Sequence, residues 1–120
     1  MVIDDEIDRI VELHTLWLAS APGGIKADFS GRYMFGIDLP GKDLRHAVFT
    51  RVSMQRADLS GCDLRGADFS DADLLKANLS GADVRGAIFR RANLFCADFE
   101  NTHGVNDADF TGASLFGTDL

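Results

Sequence analysis

One hundred and twenty residues hold a single domain, because two independent cores would each sit near the lower limit for unaided folding. The 46% hydrophobic content supports a packed interior, and nine Phe against one Trp and one Tyr favour packing over polar aromatic recognition. Twelve Lys and Arg against nineteen Asp and Glu leave a net charge of −7, which argues against phosphate-neutralising nucleic-acid binding, while two Cys and three His leave little for a disulfide framework or a zinc site.

The chain opens Met1-Val2-Ile3-Asp4-Asp5-Glu6, acidic where a secretory signal is basic, and the longest apolar run near it is Leu16 to Ala19. A cytoplasmic chain without membrane contact is expected. Residues 4 to 20 carry apolar side chains at Ile7, Ile10, Leu13 and Trp17, preceded by Ile3, one stripe of a helix of about four turns. Asp4, Asp5 and Glu6 suit the positive end of its dipole, and Ser20-Ala21-Pro22-Gly23-Gly24 stops it. Residues 1–26 therefore read as a capping helix and turn.

From Ala27 the chain parses without a gap into fives: ADFSG, RYMFG, IDLPG, KDLRH, AVFTR, and on to ADFEN at Asn101. A six-residue unit, Thr102 to Asp107, shifts the frame before ADFTG, ASLFG and a terminal TDL resume it. The third residue of each five is large and apolar and the first is usually Ala; two positions apart on extended backbone, both point to one side, inward. A period of five fits neither a helix nor a long flat strand, so the chain turns every few residues.

A second period sets the circuit. Third-position Phe recurs at Phe29, Phe49, Phe69 and Phe89, then at Phe110 after the insertion. Three further columns begin at Met34, Leu39 and Leu44, and the last reaches Gly104 where its forerunners are Leu64 and Val84. Four fives make one turn of an all-β solenoid, in which equivalent side chains stack at the strand spacing of about 4.8 Å. The stretch 27–120 makes about 4.7 coils and a rod roughly 22 Å long at that spacing.

The run resembles the pentapeptide-repeat proteins, whose units read A-(D/N)-(L/F)-x-x, over residues 27–120. The resemblance implies a right-handed quadrilateral β-helix with a narrow hydrophobic core and no enclosed active site. Tyr33, Val48, Ser53, Ile88 and Ser114 depart from the usual Asp or Asn, and Arg32, Ile37 and Lys42 from the usual Ala. The last three lie in the first coil and suit a coil that meets the N-terminal helix.

Stacking turns each outward position into a column of period twenty. The second face carries Phe35, Gln55, Leu75, Phe95 and Phe116, an apolar strip where solvent is expected; Phe35, Leu75, Phe95 and Phe116 are the candidate interface. On the fourth face, Arg45, Arg65 and Arg85 align beside Asp43, Asp63 and Asp83, a solvated salt-bridge ladder. The third face carries Asp38, Asp58, Asn78, Asp98 and Asp119, an acidic column without basic interleaving. The chain stops at Leu120 inside a pentapeptide with Leu115 and Leu120 still in core columns, so either further chain follows or Leu115, Asp119 and Leu120 meet a second copy, and a homodimer through this coil is the expectation.

Quinolone-resistance-type relatives are similar to duplex DNA in shape and bind DNA gyrase, which makes gyrase an alternative partner. Residues 27–120 carry 14 acids and 10 bases, net −4, over roughly 22 Å, about three-fold more dilute than DNA at one charge per about 1.7 Å. The insertion reads as a bulge that bends the coil. Cys62 reads as inert core and Cys96 as outward; His14, His46 and His103 are too scattered for a base and nucleophile, and no metal or other cofactor is expected. The expectation is a non-catalytic protein–protein interaction module with an unidentified protein partner and no direct nucleic-acid contact.

Overall fold

The computed structural model describes residues 5–120, an α-helix followed by a β-solenoid. Helix α1 runs Asp5–Leu18; the expected first residue, Asp4, and the preceding Ile3 lie outside the described residues. The helix stops short of Ser20 because Ser20 takes a left-handed φ of 54°. Ala21 N–H then donates to Leu16 O at 2.9 Å and Ser20 N–H to Trp17 O at 3.1 Å, the paired bonds of a Schellman end. Gly24 passes so close to α1 that a Cβ there would stand 2.4 Å from Trp17 N, so the chain doubles back only through Gly.

The buried face of α1 is rotated from the expected stripe. Ile7 and His14 are buried, Ile10 and Val11 pack against the core, and Trp17 is exposed. Positions 7, 10, 11 and 14 share one side of a 3.6-residue helix, and the deepest of them is a polar residue that an apolar count passes over. His14 is held twice: Ala27 N–H donates to Nδ1 at 2.9 Å, and Nε2 lies 2.9 Å from Arg45 O. An accepting Nδ1 leaves Nε2 as the protonated nitrogen, so the ring is the neutral tautomer that donates to Arg45 O. Trp17 stacks on His14 with ring centres 5.4 Å apart.

Each pentapeptide repeats one backbone cycle. From Ala47 to Phe99 its first and third side chains are all buried, and its second residue forms a parallel bridge to the second residue one circuit on: Asp28 with Val48, Tyr33 with Ser53, Asp38 with Asp58, Asp43 with Asp63. Four such ladders per circuit make a four-sided solenoid. At most corners the third residue's carbonyl accepts from the next unit's first N–H, as in Ala57 to Met54 O at 3.0 Å, while the fifth residue takes a left-handed φ, 70° at Gly31 and 60° at Arg56. That is the signature of a type II turn, and it explains why Gly recurs at the fifth position.

Inside, Phe29, Phe49, Phe69, Phe89 and Phe110 form one pile, with successive ring centres 4.9, 4.5, 5.1 and 5.1 Å apart and planes within 11° of parallel. Coils therefore stack in the register of twenty. The large residues of the first coil leave the ladders intact: Arg32 reaches Glu6 of α1 at 2.7 Å, Ile37 is buried in the core that includes Ile7, and Lys42 borders a groove with Asp8, Val11, Glu12 and Thr15.

The insertion differs from the expected bulge. The Asp83–His103 bridge keeps the register and Ile88–Asp109 resumes it one residue late, while a 3-10 turn at Val105–Asp107 takes up the extra residue at the corner. Val105 packs on the core where the column has Gly104. A Cβ on Gly104 would come within 3.0 Å of Arg85 N, so this coil trades its side chain for close approach. At the C-terminal end, Arg91 N–H donates to Thr111 O and Cys96 N–H to Phe116 O, whereas the N–H groups of Gly112 and Gly117 meet no further coil among the described residues. No helix among the described residues is long and apolar enough to cross a membrane.

Candidate interaction surface

The side chain at the second position of a pentapeptide organises each face. Its oxygen accepts the N–H of the fourth residue: Asp28 from Ser30, Asp68 from Ser70 and Asp98 from Glu100, at 2.8 to 2.9 Å. Asn78 does the same for Ser80 at 2.9 Å. This closes an Asx turn at the corner, which is the physical reason for Asp or Asn in the repeat. The fourth side chain is left pointing outward.

On the second face the fourth residues are Phe35, Gln55, Leu75, Phe95 and Phe116. Phe35 and Phe116 are exposed at 41% and 75%, Leu75 and Phe95 are half-buried, and the Phe95 and Phe116 rings stack at 5.4 Å. Tyr33, exposed, stacks on Phe35 at 6.4 Å. Beside this row runs a polar one that bonds to itself. Ser53 donates to Gln55 Oε1 at 2.6 Å, Gln55 Nε2 donates to Asp73 Oδ2 at 2.8 Å, and Asn93 Nδ2 donates to Asp73 Oδ1 at 3.2 Å. A partner that covers the face strands none of these groups, so the apolar row is free to be buried at little polar cost.

The third face is acidic and locally engaged. Asp58 Oδ1 accepts both the N–H and the hydroxyl of Ser60, at 2.9 and 2.6 Å; Asp38 precedes Pro40, which has no N–H to offer. Asp38, Asp98 and Asp119 are exposed, Asp58 is half-buried, and none of the four has an ion-pair partner among the described residues. On the fourth face Arg45, Arg65 and Arg85 bond Asp43, Asp63 and Asp83 within their own units, as in Arg65 Nη2 to Asp63 Oδ2 at 2.6 Å, and lean on the next coil, Arg65 to Asp83 at 3.8 Å. The Arg85 guanidinium pulls the Asp83 carboxyl down to about 2. This ladder neutralises itself.

In the C-terminal coil, Leu115 packs against the core, Asp119 is exposed and Leu120 is exposed at 53%. Cys62 is buried, donates its thiol to Leu39 O, and is pushed up to about 11 by burial; Cys96 is half-buried at a corner, and both are free thiols. His14 belongs to the junction between α1 and the first coils, a role that sequence reasoning missed although its spacing from Ile7 places both on one helix face. Among the described residues no three His, Cys, Asp or Glu come together as a metal-binding group.

The family model for pentapeptide repeats matches residues 27–66, 54–91 and 72–103. A pentapeptide repeat protein from Nostoc PCC 7120 is similar over 89% of this chain and 73% of its own, at 29% identity and a TM-score of 0.62. A pentapeptide repeat protein from the Arabidopsis thaliana thylakoid lumen is similar at 35% identity and a TM-score of 0.51, over 70% of this chain and 61% of its own. The pentapeptide repeat protein Rfr23 from the cyanobacterium Cyanothece 51142 shares the fold at 24% identity and a TM-score of 0.51, over 71% of this chain and 57% of its own. The chain thus spans less than two thirds of the length of the last two. No curated protein matches it.

Proposed function

Because the chain belongs to the pentapeptide-repeat family, we propose that it is a non-catalytic interaction module: a right-handed quadrilateral β-helix of about 4.7 coils at the strand spacing, capped by α1, that binds a protein partner through its second face. The observation that carries this reading is the column Phe35, Leu75, Phe95 and Phe116 beside a polar row whose hydrogen bonds are already satisfied. An aligned strip of large apolar groups on a charged surface is a binding surface before it is anything else. Replacing Phe95 and Phe116 by Ser leaves the circular dichroism nearly unchanged and abolishes partner capture; unaltered capture by the double variant removes the reading.

A second copy is proposed at the C-terminal coil, on Leu115, Asp119 and Leu120, where the N–H groups of Gly112 and Gly117 meet no further coil among the described residues. Sedimentation that finds only monomer at high micromolar concentration counts against it. DNA likeness directed at gyrase is the second reading, and the unpaired acidic column Asp38, Asp58, Asp98 and Asp119 is what favours it. Its net charge over the rod, about three-fold below that of DNA, ranks it second. A supercoiling assay tests it, with Asp58→Lys and Asp98→Lys as controls; an inert parent protein disposes of it.

A further inference from the structure

The corners that border the second face hold three cations that form no ion pair among the described residues. Residues 27–120 contain ten Lys and Arg. Six are ion-paired, and of the four that meet no carboxylate among the described residues, Arg51, Arg56 and Lys76 flank this one face; the fourth is Lys42. All three are exposed. The carboxylates nearby are already engaged: Asp71 takes both Arg91 contacts at 2.9 Å, and Asp73 accepts from Gln55, Asn93 and the Leu75 N–H. A chain of net charge −7 thus presents positive edges around its apolar strip.

The backbone restricts the partner's form as well. Along the faces each coil's N–H groups are spent on the next coil, as in Met54 to Asp73 O at 2.8 Å and Leu74 to Asn93 O at 2.8 Å, so no strand can be added there. Recognition must run through side chains. The rungs stand about 4.8 Å apart, close to the helix pitch of about 5.4 Å, so a helix laid along the solenoid axis brings about one apolar side chain per turn onto each rung. Five rungs span about 20 Å at the strand spacing, the length of a helix of about 14 residues.

Building on the interaction reading above, we propose that the second face binds an acidic amphipathic α-helix of about four turns, its apolar stripe on Leu75, Phe95 and Phe116 and its carboxylates over Arg56 and Lys76, with Arg51 on the opposite edge. Two copies of this face repel each other, and three cations on an acidic chain are too few to hold nucleic acid. An anionic membrane would meet the net negative body.

The test is a display library of 14-residue helices with a fixed Leu/Phe stripe and randomised flanks, selected on the full chain at low salt. The expected winners are rich in Asp and Glu and weaken with salt. They bind the Phe116→Ser variant at least about tenfold more weakly, and Arg56→Glu/Lys76→Glu, both at exposed corners, shifts selection to Lys-rich helices. Winners that need Phe116 but show no acidic bias overturn the acidic-helix proposal and leave the interaction reading standing. Winners indifferent to Phe116 overturn both; no winners at all overturns the acidic-helix proposal alone. Cosedimentation with phosphatidylserine vesicles stronger than capture of any helix overturns the proposal in favour of a lipid surface.

Discussion

Asp68 accepts the Ser70 N–H at 2.9 Å, one instance of a contact made at most corners of the solenoid. Without it that half-buried N–H has only water to meet, so Asp68→Ala is expected to cost about 1 kcal/mol in chemical denaturation. Asp68→Asn keeps the acceptor, as Asn78 does naturally, and should cost less than half as much. Equal losses for the two variants would mean that charge, not the Asx turn, is what the position supplies. The need for a residue of this type was legible in the repeat; its hydrogen-bond partner was not, because the bond depends on how the corner bends.

Of the contacts that join helix α1 to the solenoid, the buried polar one is the His14 imidazole. Burial lowers the His14 pKa from its usual 6.5 against the raising effects of Arg45 O and the Asp43 carboxylate, and nearby His46 and Lys26 push the same way as burial. The folded state therefore prefers neutral His14, and stability contributed by this site is complete above pH 6.5 and is lost as pH falls, when the unfolded chain binds the proton first. A proton on Nδ1 would also face the Ala27 N–H. Trp17 fluorescence should report loosening of α1 as pH falls below 6.5 while the far-ultraviolet signal of the coils persists. His14→Leu should abolish that step and lose about 2 kcal/mol, from an orphaned N–H and an orphaned carbonyl. A step retained in the variant would assign it to another group.

Over the whole molecule, stability is carried from coil to coil, so position along the rod matters. Phe69 stacks on Phe49 and Phe89, and Phe69→Ala should cost about 3–5 kcal/mol; Phe110, half-buried in the C-terminal coil, should cost about half that in thermal unfolding. Charge is distributed by the same stacking. The first face alternates Asp28, Val48, Asp68, Ile88 and Asp109, which keeps carboxylates two coils apart, whereas the fourth face stacks Asp43, Asp63 and Asp83 only with an Arg at each level. Val48→Asp would put three carboxylates in successive coils with a single cation, Arg51, on their units. It should lose about 1 kcal/mol at low salt and recover most of it at high salt.

A strict repeat converts distance along the chain into distance in space, and for that reason the sequence alone determined the circuit of twenty, the Phe pile, the inward and outward sets and the acidic and apolar columns. Where the period breaks, that conversion stops. The His14–Arg45 bond joins residues 31 apart across the end of the repeat, and Val105 stands in for Gly104 where the frame slips, so only the packed structure decided both. It also decided which cations are paired, since a guanidinium's partner is set by the direction of its side chain at a corner and not by its column; that is why the positive rim of the second face emerges only in three dimensions.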